Sequence, residues 1–155
     1  MKNYAFLLLL FCGALLLTGC SDDDDSTPSR EEMLVNKRWQ ITGLTISSLL
    51  GTIDYYEESE PCMRDNYVEF KPGGVLLMNE GLSKCNASDA QEAEGRWSLN
   101  GNVLHLEGVG DPLSLPVDEL DLDIKEMSST EMSAEFETTF SGFNFTGTLD
   151  MTVMQ

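Results

Sequence analysis

From Lys37 to the C-terminus, apolar and polar residues alternate with a period of two, and the period returns after each interruption. Successive side chains on a pleated backbone point to opposite sides, so this period marks strands with one buried and one wet face. In the first run, 37–47, Trp39, Ile41 and Gly43 share a face. Val68 and Phe70 point inward in 66–71, which ends at the turn signal Pro72-Gly73-Gly74. Strands are expected over 75–79, 95–99 and 102–107, the last two joined by Asn100-Gly101, a strong hairpin signal. Residues 113–116 read as a further strand edge. Leu120, Leu122 and Ile124 alternate with Asp121, Asp123 and Lys125, and Met132, Ala134, Phe136 and Phe140 alternate with acids and threonines. Ser141-Gly142 then turns the chain, and Phe143, Phe145, Leu149, Met151 and Val153 alternate to the end. Residues 48–61 and 81–92 are two long connections, the first of them acidic. Ser29 with Glu32 three later has the form of a capping box and predicts a short helix over 29–36.

The result is an all-β expectation: eight sequential strands after a short N-terminal helix. Alternation with a polar outer face argues antiparallel pairing. Eight sequential antiparallel strands close most economically into an up-and-down barrel, which leaves no exposed edge. A β-sandwich satisfies the same periods and turns and is the alternative.

The N-terminal residues obey a different logic. Lys2 is followed by an apolar run over 4–17, too short for a spanning helix, which needs roughly 20 residues. It has the length of a signal-peptide core. Leu17-Thr18-Gly19-Cys20 resembles the bacterial lipobox, in which the cysteine thiol is diacylated, the chain is cut before it, and the new amino group is acylated. The resemblance implies a signal peptide over 1–19, lipidation at Cys20 and an acidic tether over 20–29, with 30–155 as the folded domain. Several acyl chains anchor stably where one does so only marginally. Ser21, Asp22, Asp23, Asp24 and Asp25 resemble the serine-plus-acidic export tag of Bacteroidetes-type surface lipoproteins, which implies an outer-membrane anchor and display on the cell surface. A soluble acidic spacer is the plainer reading of the same residues. Asp25-Ser26-Thr27 has the form of the O-glycosylation site used in that phylum, with Ser26 or Thr27 as acceptor.

Removal of 1–19 takes Lys2 away and no acid, so 9 − 1 = 8 basic residues face 27 acidic ones, a formal charge of 8 − 27 = −19. That excludes nucleic acid, whose binding rests on cationic contacts to phosphate, and disfavours docking on anionic lipid. Attachment to a membrane must then be covalent. Cys12 leaves with the signal and Cys20 carries lipid. Cys62 and Cys85 remain as a pair outside the cytoplasm, where a disulfide is the default over a metal site or a redox pair.

The short helix, Trp39 on the first strand, the Cys62 and Cys85 pair, Gly95-Arg96-Trp97 and the sequential meander resemble the lipocalin-like domain of Bacteroidetes lipoproteins over about 30–155. The resemblance implies a barrel of the lipocalin type. An eight-stranded barrel sits at the size where side chains just fill it or leave room for one small ligand. Trp39, Phe70, Met78, Trp97, Phe136, Phe143 and Phe145 are the candidate lining of such a cavity, and core packing is the plain alternative for all of them. The connections 48–61 and 81–92 are expected to edge the mouth, pinned by the disulfide.

No catalytic constellation is legible, and no cofactor is expected. His105 is the sole histidine and alternates outward; no serine sits in Gly-x-Ser-x-Gly. Asp118, Glu119, Asp121 and Asp123 have the look of a cation cluster, but Asp121 and Asp123 share an outer strand face, a solvated arrangement, and the segment lacks the glycine and terminal glutamate of an EF-hand loop. Asp54, Glu57, Glu58 and Glu60 could hold calcium only if their loop folds back, so no metal is expected. The reading is a non-enzymatic surface lipoprotein binding a small apolar or amphipathic ligand. The alternative is a filled-barrel protein-interaction or inhibitor module of the cell envelope.

Overall fold

The computed structural model describes residues 28–155. The signal segment, Cys20, the tag residues Ser21, Asp22, Asp23, Asp24 and Asp25, and the acceptors Ser26 and Thr27 lie outside the described residues. The chain opens with helix α1 (Arg30–Leu34), closed by the expected reciprocal cap: Ser29 accepts from the Glu32 amide and the Glu32 carboxylate accepts from the Ser29 amide. Nine strands follow: β1 (Arg38–Ser48), β2 (Gly51–Asp54), β3 (Tyr67–Lys71), β4 (Val75–Asn79), β5 (Glu92–Asn100), β6 (Val103–Glu107), β7 (Glu119–Met127), β8 (Glu131–Phe140) and β9 (Phe143–Val153). Helices α2 (Tyr55–Glu58) and α3 (Gly110–Leu113) and a 3₁₀ turn (Pro61–Met63) lie in the connections.

Every pairing among these strands is antiparallel; β1 lies between β2 and β3, the order is sequential from β3 to β9, and β1 also pairs with β9 from Trp39↔Val153 to Ser47↔Thr146. That pairing closes eight strands into a barrel and excludes the sandwich. The ninth strand, β2, folds back on the far half of β1 (Ile46↔Ile53), because β3 covers only Arg38 to Gln40 of that edge. The sequence reading placed this segment in a long connection and 113–116 in a strand edge. Instead, α3 ends at Leu113, and Ser114 takes a left-handed conformation (φ 54°) that stops any extended pairing.

A second correction lies in β1. Register slips between Ile41 and Gly43, a β-bulge that inverts the alternation. Trp39 and Ile41 point inward, then Leu44 and Ile46 do, and Gly43 turns out of the inward set. The bulge brings β9 close: a Cβ on Gly43 would lie 2.9 Å from Asp150 Oδ2.

The two ends of the barrel differ. The β3–β4, β5–β6 and β7–β8 turns gather at one end with α1. Leu34 and Trp39 are fully buried there, and Trp39 Nε1 donates to the Leu34 carbonyl at 3.0 Å. Val35 bridges to Phe70, and Phe70 meets the Trp97 ring edge-on at 5.5 Å between centroids. Trp97 Nε1 donates to the Lys71 carbonyl at 2.9 Å, so both buried indoles have their polar atom satisfied. The opposite end receives the β1–β2 and β8–β9 hairpins and the long connections. Cys62 and Cys85 are joined there in a disulfide, with Cα atoms 5.2 Å apart. Asp65 ties the same two segments together by accepting from the Leu82 and Ser83 amides, each at 2.9 Å.

Candidate functional site

The open end contains a cavity of about 280 Å³. It exceeds the ~150 Å³ apolar void that admits benzene and stands at the lower edge of the ~300–1,000 Å³ typical of small-ligand sites. Four parts of the chain build its wall. The inward residues after the β1 bulge, Leu44 and Ile46, join Ile41 on one side. Phe136, Thr138 and Phe140 from β8, with Phe145 and Leu149 from β9, form the adjoining side. Leu106, Leu120 and the 113–117 stretch of the β6–β7 connection face them, and Ile53, Tyr55, Tyr56, Ser59, Met63 and Asn66 cover the top.

One glycine is needed for this wall. A Cβ on Gly147 would lie 2.3 Å from Phe136 Cζ and 2.3 Å from the Thr45 carbonyl oxygen. The bare backbone lets the Phe136 ring lie flat in the side of the cavity.

The seven aromatic and methionine residues singled out from the sequence divide among three places. Phe136 and Phe145 stand in the cavity wall. Trp39, Phe70, Met78 and Trp97 are buried in the core outside the cavity lining, with Trp39, Phe70 and Trp97 packed beneath or beside α1 at the closed end. Phe143 stands on the rim, outside the cavity lining, on the β8–β9 hairpin, 62% exposed. The two long connections also part company. Residues 48–61 roof the cavity through Ile53, Tyr55, Tyr56 and Ser59, whereas 81–92 contributes no lining residue, and the β6–β7 connection takes its place. Tyr55 and Tyr56 were the missed members: two adjacent aromatics inside an acidic connection were the available signal.

The remaining candidates are ordinary surface groups. Asp54 caps α2 by accepting from the Glu57 amide at 3.0 Å, and Glu57 pairs with Arg64 at 3.5 Å. These acids are used within their own loop. Glu60 lies beside Cys62 and Cys85, but the two sulfurs are bonded to each other and offer no thiolate for a metal. His105 faces outward, with Nδ1 2.6 Å from Asp121 Oδ1 and Nε2 3.2 Å from Glu107 Oε1. The hydrogen bond to Asp121, with Glu107 adding to it, holds its pKa above the ordinary imidazole value. Lys125 is paired with Asp123 and Glu135.

On one side of the cavity mouth stands an uncharged, apolar rim. No charged residue occurs in 39–53 or in 138–149, the segments forming the two adjoining hairpins. Leu49 and Leu50 at one tip are 95% and 100% exposed, and Phe143 is beside them on the other. No protein-family model and no curated protein matches this chain.

Proposed function

We propose that this protein is a lipid-anchored binding protein whose barrel holds a small apolar or amphipathic molecule at its open end. The observation that carries the reading is the cavity of about 280 Å³, whose twenty lining residues include no charged side chain in a chain bearing 27 acids. Apolar transfer into such a space is favourable at roughly 25 cal/mol per Å² buried. The working form is the chain from residue 20 carrying Cys20→Ser. Titration with 1-aminoanthracene, an uncharged apolar fluorophore, should give one saturable site. Leu120→Trp, which fills the cavity, should abolish that site while the far-ultraviolet circular dichroism is unchanged. Unaltered binding in the filled variant would place the dye elsewhere and overturn the reading.

The anchor is part of the same proposal. Acylation at Cys20 accounts for an acidic protein held at a membrane, and Ser21 with Asp22, Asp23, Asp24 and Asp25 would route it to the cell surface as a lipocalin-like lipoprotein. Cys20→Ser should release the protein from the membrane fraction. Alanines at 22–25 should remove its access to external protease in intact cells; persistent access would end the export-tag reading.

The exposed rim favours a second reading, a protein-interaction or inhibitor module. Large apolar side chains standing free at hairpin tips often mark contact surfaces. A photo-crosslinker at position 50 should then trap one discrete partner in intact cells, and a featureless ladder would speak against it.

A further inference from the structure

Building on the cavity reading above, we propose that the open end selects amphiphiles whose head is uncharged or cationic and rejects those that end in a carboxylate. Two observations converge on this selectivity.

The first is the absence of a counter-ion. None of the twenty lining residues is Lys, Arg or His. A carboxylate entering would shed its hydration with no cation to replace it, and burying an unpaired charge is strongly unfavourable. The second is the charge of the frame. The segments that edge the mouth, 54–66 and 108–119, hold eight Asp and Glu against one base, Arg64. Arg64 is outside the lining and engaged by its own loop: it donates to the Glu57 and Ser59 carbonyls, pairs with the Glu57 carboxylate and stacks over Tyr56 at 5.4 Å. An anionic head meets repulsion over the last ~8 Å of its approach, and an ammonium head meets attraction.

The test is displacement of bound 1-aminoanthracene by 1-decanol, decylamine and decanoate near neutral pH, on chain 20–155 with Cys20→Ser. Decanol and decylamine should displace the dye, and decanoate should be weaker by at least about tenfold. The variant Glu58→Gln/Glu60→Gln/Glu119→Gln removes three exposed rim carboxylates that make no hydrogen bond to the barrel. It should strengthen decanoate and weaken decylamine severalfold while leaving decanol unchanged. Decanoate equal to or tighter than decanol overturns the inference, with the cavity reading intact. A dye that never binds, with no alkyl ligand detected by native mass spectrometry, overturns the cavity reading and this inference with it.

Discussion

The closed and open ends of the barrel are built from the same strands and the same alternation, yet one is packed and the other hollow. At the closed end, α1 sits over Trp39 and Phe70, and each buried indole N–H meets a backbone carbonyl. At the open end, no helix among the described residues enters between the strands. Phe136, Phe145 and Leu149 face a space instead of a plug, and α2 with the β6–β7 connection only roofs it. The difference shows that inward aromatic side chains fill a barrel only where another element comes to meet them. It also divides the molecule along one axis: the packed end holds the fold, and the hollow end leaves the space that the proposed ligand would occupy.

The largest effects should come from the packed end. Trp39→Ala should cost about 3–5 kcal/mol in urea unfolding, the range for deleting a buried aromatic. Phe145→Ala at the cavity wall should cost well under half of that, since one side of the ring already faces empty space. Equal losses would break the comparison. Next, reducing the Cys62–Cys85 bond, whose partners are 23 residues apart, should lower stability by roughly 3 kcal/mol in the chain-entropy account, read as a drop in Tm on adding reductant. Smaller still is the response to added volume. Leu76→Phe, in the fully buried core, should cost about 1–3 kcal/mol through overpacking, and Leu120→Phe should cost less than about 1 kcal/mol while weakening ligand binding. Reversal of that order would mean that the hollow lies elsewhere.

The smallest effect is electrostatic and lies on the outer face, away from both ends. His105 has a raised pKa because Asp121 and Glu107 favour the imidazolium. The associated stabilisation is therefore fully present below the ordinary imidazole pKa of 6.5 and is lost as pH rises through the higher folded-state value. Asp121→Asn should move the NMR titration of His105 down, with little change in Tm at any pH because the pair is solvent-screened.

Much of the fold was legible because strand periodicity reports which face a residue occupies. Val68, Phe70, Leu104, Leu122, Ile124, Met132 and Met151 are buried as their alternation requires. Periodicity does not report height along the barrel axis. Trp39 and Phe145 both read as inward, and only the position of α1 decides that one is packed under a plug while the other lines a cavity. Closure itself rests on β1 meeting β9 across the whole chain, a contact with no local sequence signal. The bulge between Ile41 and Gly43 was equally hidden, because Thr42 and Gly43 fit either phase. Tyr55 and Tyr56 escaped because their segment is dominated by acids, whose charge describes the outside of the roof and not its underside.

Methyl-resolved NMR of the chain from residue 20, titrated with 1-decanol, tests the division between the ends most directly. The account predicts saturable shifts at Ile41, Leu44, Ile46, Leu113, Leu120 and Leu149, with Leu34 of the plug itself and the fully buried Leu76, Leu122 and Ile124 unmoved. Shifts spread evenly along the barrel, or centred on Leu34 of α1, would contradict it.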